Sequence, residues 1–202
     1  RGELPGLYPS GPDRDVVSQL LNDHSAGSEA PLIAIAPGTV WNTKRWPEEG
    51  FRDLAGKLAA ANYRVALIGG EEDAVLCERI RISAGDRGVF SAAGTLTFLQ
   101  SAELVRRSRA LICNDSAPTH LAVAVHTPVI TIFGATSPDF GFGPYGDHGT
   151  VIETKGLHCR PCAIHGGDKS PIGTFECMMK ISPERVFDEL VRILHMPQVP
   201  AA

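Results

Sequence analysis

The sequence has no long block of like charges, no apolar stretch approaching the roughly 20 residues that cross a bilayer, and few cysteines for its length. Each absence removes a class of protein. With 23 acidic residues against 19 basic ones the formal charge is −4, so the concentrated positive field that holds nucleic acid or an anionic membrane is missing. The opening segment, Arg1 to Gly11, lacks the apolar core of a signal peptide. Five cysteines, an odd number scattered over 202 residues, fit a reducing compartment better than a disulfide scaffold. The expectation is a cytoplasmic protein that does not bind nucleic acid.

What is present suits one core: 43% of the residues are hydrophobic and 21% charged. Position 1 is Arg rather than Met, and Leu4 to Pro12 reads as a Pro/Gly-rich connector, so the chain is expected to be a fragment missing a partner domain. Residues 1–30 read as linker plus a short helix over Asp15 to His24, and residues 31–202 as one domain. Within that domain strands and helices alternate. Short apolar runs at Leu32–Ala36, Arg64–Ile68, Val89–Phe90, Ala110–Cys113 and Val129–Phe133 predict strands buried on both faces, with a sixth at Val151–Ile152. Helical patterns after Pro47, over Glu71 to Ile82, Thr97 to Arg107 and Ser116 to Val125, and from Pro183 onward separate or follow them. Single helices between strands imply right-handed crossovers and a parallel sheet covered on both sides, an α/β Rossmann-like doubly wound fold. The pattern fails between Phe140 and Met179, where three histidines and three cysteines crowd an irregular loop.

Such sheets bind ligands beyond the carboxyl ends of their strands. The loop after the first strand, Pro37 to Pro47, has neither the P-loop nor the dinucleotide glycine spacing, which weakens NTPase and dehydrogenase readings. It offers a glycine turn, Thr39 and Thr43, and the cations Lys44 and Arg45 directly before a helix. A compact lysine charge and a helix N-terminus together suit a phosphate, although solvated surface charge explains Lys44 and Arg45 equally well. After the fourth strand come Asp115 and Ser116, good helix caps in their own right, and His120 four residues beyond Ser116; a hydroxyl, backbone amides and an imidazole suit an anion. Glu71 and Glu72 follow Gly69-Gly70 where a ribose would lie, and taken alone read as compensation for a helix dipole.

Taken in order, Pro37-Gly38 with Lys44-Arg45-Trp46-Pro47, Gly69-Gly70-Glu71, Asn114 to Ala122, and Val129 to Gly134 with Ser137-Pro138 resemble the family 9 glycosyltransferases, the bacterial lipopolysaccharide heptosyltransferases. Leu157 to Cys162 and Glu176-Cys177-Met178 resemble the late segment of the enzymes that add the second heptose. The resemblance implies the donor-binding, C-terminal half of a GT-B architecture, with the N-terminal acceptor domain absent. It implies inverting transfer of heptose from ADP-heptose to a lipid-linked acceptor, with no obligatory metal and no cofactor. By the same resemblance Thr39 and Lys44 hold the donor phosphates, Glu71 the ribose, and Asp115, Ser116 and His120 the pyrophosphate and sugar hydroxyls. Lys44 and Ser116 stabilise the leaving group, the general base sits on the missing domain, and the chain lies at the inner face of the inner membrane with peripheral membrane contact. Ala117 replaces the glycine many relatives carry, which alters the closest backbone approach to phosphate.

The cysteine segment is the weak metal candidate. Cys159, Cys162 and Cys177 remain where relatives often have four cysteines, and tetrahedral zinc closure needs further ligands such as His158 or His165. The expectation is reduced thiols and no structural zinc. Two other functions compete: a non-catalytic nucleotide-sugar-binding module that truly begins at residue 1, and a nucleotide-sugar epimerase on the same architecture.

Overall fold

A computed structural model describes residues 6–25, 29–85, 88–146 and 149–195. Six strands form the sheet: β1 (Leu32–Ala36), β2 (Arg64–Leu67), β3 (Val89–Ser91), β4 (Ala110–Asn114), β5 (Val129–Phe133) and β6 (Gly149–Glu153). All neighbours are parallel, in the order β3-β2-β1-β4-β5-β6. The order reverses between β1 and β4, so the loops leaving these two strands diverge and open a crevice between them.

The central strands β1, β4 and β5 are buried along their whole length, and apart from Asn114 at the end of β4 and Thr131 within β5 they are apolar. Their side chains alternate between two cores. One holds Ile33, Ile35, Ile112 and Ile130 against α2 (Glu48–Ala60), α3 (Ala74–Ala84) and α7 (Pro183–His195). The other holds Ala34, Ala36, Leu111 and Cys113 against α1 (Gly11–Asp23), α4 (Phe98–Arg107) and α5 (Ala117–Ala124). On α2, Phe51, Leu54, Ala55 and Leu58 are buried at the helical period. Each fully buried Leu or Phe of this kind contributes roughly 1.5–3 kcal/mol.

Local signals set the ends. Thr97 caps α4 by accepting from the Gln100 amide while the Gln100 side chain returns to the Thr97 amide. Ser10 and Asp13 do the same for α1, which therefore starts at Gly11 rather than Asp15, with Pro12 inside its first turn. Pro47 is the residue before α2 rather than one inside it, and Glu71–Asp73 form a separate 3-10 turn ahead of α3. α1 packs through Val17, Leu20 and Leu21 on the second core. The irregular region after Phe140 is broken by β6 and ends in the short α6 (Glu176–Met179). Among the described residues no helix is long and apolar enough to cross a membrane.

Candidate functional site

Three segments meet at the carboxyl edge of the sheet. Asn114, the last residue of β4, is fully buried; its side-chain amide donates to the Pro37 carbonyl at 2.7 Å and its carbonyl oxygen accepts from the Trp46 amide at 3.0 Å. Pro37 and Trp46 are the two stems of the loop after β1, so one side chain pins both. Trp46 packs edge-on against Phe51, and its indole N–H donates to the Ile181 carbonyl.

Held this way, the loop sends Lys44 across the crevice. Its ammonium lies 2.7 Å from Asp115 Oδ2, with both groups nearly buried. The Thr136 hydroxyl, in the loop after β5, donates to the same oxygen at 2.6 Å. Both partners fall on Oδ2; among the described residues none bonds Oδ1, and Asp115 lines the crevice. Lys44 and Ser116 thus stand at one site, together with Thr39 and Ala117; all four line, with Asp115, a crevice of about 770 Å³.

Asp115 and Ser116 do not cap α5. The Asp115 carboxylate is taken by Lys44 and Thr136, and the Ser116 hydroxyl donates to the Asn114 carbonyl at 3.2 Å. No side chain caps this helix, so its positive end opens on the crevice beside Ser116 and Ala117. An ammonium and a helix N-terminus facing the same space form an anion site.

The far rim is built differently. Glu72 and Asp73 line the crevice; Glu71 is exposed and stands outside it. Asp73 packs so closely on the glycine backbone that a Cβ on Gly38 would lie 2.0 Å from its carboxylate, so any larger residue there would displace the Asp73 side chain. Burial, and after it the Glu72 charge, raises the Asp73 carboxyl above its ordinary value, while the Gly70 N–H opposes the rise. His120 is half-buried one turn along α5, also outside the crevice lining. Ile68, Leu96, Phe98 and Leu121 give the crevice an apolar wall. A second cavity of about 640 Å³ lies across Gly38, Arg45 and Asp73; of its two arginines, Arg79 is paired with Glu48 at 2.7 Å and Arg45 donates to the carbonyls of Thr39 and Val40.

The late loop backs Lys44. Thr43 exchanges two bonds with Gly167, and Asn42 donates to the Asp168 carbonyl. Gly166, at φ +89°, sits where a Cβ would lie 3.1 Å from both Lys44 Cγ and Trp41 Cβ. Arg160 ties the same loop to the strand ends through the carbonyls of Gly134, Thr136 and Thr154 and the Glu153 carboxylate. Burial and the neighbouring Cys159 raise the Cys162 thiol, which donates to the Cys159 carbonyl; burial likewise raises Cys177. Among the described residues, no group of three or more His, Cys, Asp or Glu is arranged to hold a metal ion. Cys113 is fully buried with its thiol pushed up to about 12 by burial, so it is a core residue rather than a nucleophile.

Sequence reasoning placed Asn114 and Arg160 inside motifs without giving either a role, and missed Thr136. Thr136 follows a strand end, the one signal that could have found it.

Residues 13–168 match the model of glycosyltransferase family 9 (heptosyltransferase). The chain is 30% identical over 182 residues to lipopolysaccharide heptosyltransferase 2 of Salmonella typhimurium, covering 88% of this chain and 51% of that one. It superimposes on the structure of E. coli ADP-heptose lps heptosyltransferase II with a TM-score of 0.75 at 27% identity, over 94% of this chain and 53% of the other. E. coli heptosyltransferase WaaC with ADP-2-deoxy-2-fluoro heptose shares the fold, with a TM-score of 0.59 at 19% identity, over 88% of this chain and 48% of that one. The chain spans about half the length of the curated relatives it matches.

Proposed function

Because this chain belongs to glycosyltransferase family 9, we propose that it is the donor-binding, C-terminal half of a GT-B heptosyltransferase, moving heptose from ADP-heptose to the lipopolysaccharide inner core with inversion and without an obligatory metal. The observation that carries the reading is Lys44 paired with Asp115 beside the uncapped start of α5, inside a crevice large enough for a nucleotide sugar.

The roles follow from the chemistry of each wall. The diphosphate lies between Lys44, Thr39, Ser116 and the first amides of α5, with Ala117 at the closest backbone approach. A flat purine fits the apolar wall of Ile68, Leu96, Phe98 and Leu121. The ribose hydroxyls meet Glu72 and Asp73, the carboxylates that line the crevice, while Glu71 stands at the outer rim of the same turn. The accessible oxygen of Asp115 accepts a hydroxyl of the transferred sugar, and His120 meets the sugar where it emerges beside α5.

As the bond to the anomeric carbon breaks, negative charge grows on the departing ADP. Lys44 and the α5 N-terminus are already fixed where that charge appears, so they stabilise it without reorganising. An attacking acceptor hydroxyl needs a base, which the other half of the enzyme supplies along with the lipid-linked acceptor's site. That acceptor places the whole enzyme at the cytoplasmic face of the inner membrane, in peripheral contact.

Titration calorimetry with ADP and ADP-heptose tests the reading. Both bind the unaltered chain, and Lys44→Ala weakens both. No binding of either at millimolar concentration, or equal affinity in the variant, would remove the assignment.

A further inference from the structure

Lys44, Asp115 and Ser116 are the groups a donor touches, but Asp115 is held from behind by a residue no motif includes. The Thr136 hydroxyl donates to Asp115 Oδ2 at 2.6 Å, and its backbone carbonyl accepts from Arg160 Nη2 at 2.8 Å. Thr136 is fully buried and does not line the crevice. Arg160, itself nearly buried, is anchored on Gly134, Thr154 and Glu153, and the Cys162 amide donates to the Ala135 carbonyl at 2.7 Å. A chain of short polar contacts therefore runs from the loop at Arg160 and Cys162, through Thr136, to the Lys44–Asp115 pair.

The two bonds on Oδ2 decide how Asp115 faces the crevice. Lys44 and Thr136 both hold that oxygen, and Oδ1 is left without a partner among the described residues while Asp115 lines the crevice. Lys44 alone does not ensure this, because an arriving diphosphate competes for its ammonium. Thr136 does not line the crevice, so its bond to Oδ2 stands when the ligand shares the ammonium.

We propose that Thr136, backed by Arg160, is a positioning residue that holds Asp115 with Oδ1 toward the sugar of the donor, making the site select a sugar nucleotide over the bare nucleotide. The proposal rests on the donor reading given above. It predicts that Thr136 acts only through Asp115 and only on the glycosyl part of the ligand.

The test is calorimetry with two probes, ADP and ADP-heptose, on the unaltered chain, Thr136→Val, Thr136→Ser, Asp115→Asn and the double variant Thr136→Val/Asp115→Asn, with thermal melts to verify folding. Thr136→Val should weaken ADP-heptose about tenfold and ADP less than about threefold, and Thr136→Ser should restore the discrimination. In the Asp115→Asn background Thr136→Val should cause no further loss. Equal losses for the two probes, or a full Thr136 effect without the Asp115 carboxylate, would overturn the positioning role while leaving the donor reading intact. Failure of the unaltered chain to bind either probe would overturn both.

Discussion

Among the described residues two carboxylates are buried with cations, Glu103 and Asp115, and they differ in one respect. Glu103 on α4 has no exposed surface and both its oxygens are used: Arg106 takes Oε1 and Oε2, and Arg107 takes Oε1 at 2.6 Å. Arg107 then reaches α1 at the Ser18 hydroxyl and the Arg14 carbonyl, so the cluster fastens one helix to another. Asp115 is equally enclosed, but its two partners share a single oxygen. A carboxylate whose acceptor capacity is spent inside the protein is structural. One with capacity left over at a crevice is a place for a ligand.

The difference can be broken by experiment, and the largest effect falls on the crevice. Lys44→Met should lower ADP affinity about a hundredfold by calorimetry and also lower the melting temperature, since Asp115 loses its counter-charge. Unchanged ADP binding would place Asp115 in the same class as Glu103. Next, Glu103→Gln should cost about 2 kcal/mol of stability in urea denaturation and leave ADP affinity as it was. Acid should separate the two variants further. Hydrogen bonding from Arg106, opposed by burial and aided by Arg107, holds the Glu103 carboxyl below its ordinary value of 4.5. Its contribution is therefore complete above the unfolded value and is lost as pH falls through the lower folded one, so the native chain should lose stability more steeply below pH 4.5 than Glu103→Gln. The smallest effect belongs to Asp73, whose carboxyl burial pushes the other way. Its ionised form is disfavoured in the folded chain at neutral pH, and the penalty disappears once acid neutralises the group in both states. Asp73→Asn should thus gain about 0.5 kcal/mol near pH 7 and nothing in acid, while ADP affinity falls about threefold.

β1 and β5 match their expected strands to the residue, because a strand covered on both faces is almost wholly apolar; the one polar residue of β5, Thr131, pairs with Thr119 inside the core. That Lys44 and Ser116 line one crevice was legible from topology: they follow β1 and β4, the adjacent strands at which the sheet order reverses. Glu71 was not distinguishable from Glu72 and Asp73 by spacing. A 3-10 turn rotates about 120° per residue, so three consecutive acids face three directions. The four-residue step from Ser116 to His120 suggests one helical face, yet Ser116 is extended, at φ −160° and ψ 176°, and lies outside the helix whose period the step assumes. The pairing of Glu103 with Arg106 and Arg107, three and four residues on, is local to α4, whereas its burial and the reach of Arg107 to Ser18 and Arg14 depend on α4 lying against α1. Thr136 and Arg160 reach the site through loop docking across many residues of chain, which no local pattern encodes.

The two bonds of Asn114 have a consequence for motion. By gripping Pro37 and Trp46 at once, this amide works as a calliper set to one gauge: the two stems of the loop keep their spacing, and both shift only with β4. The root of the loop that carries Lys44 is thereby part of the sheet rather than of the surface.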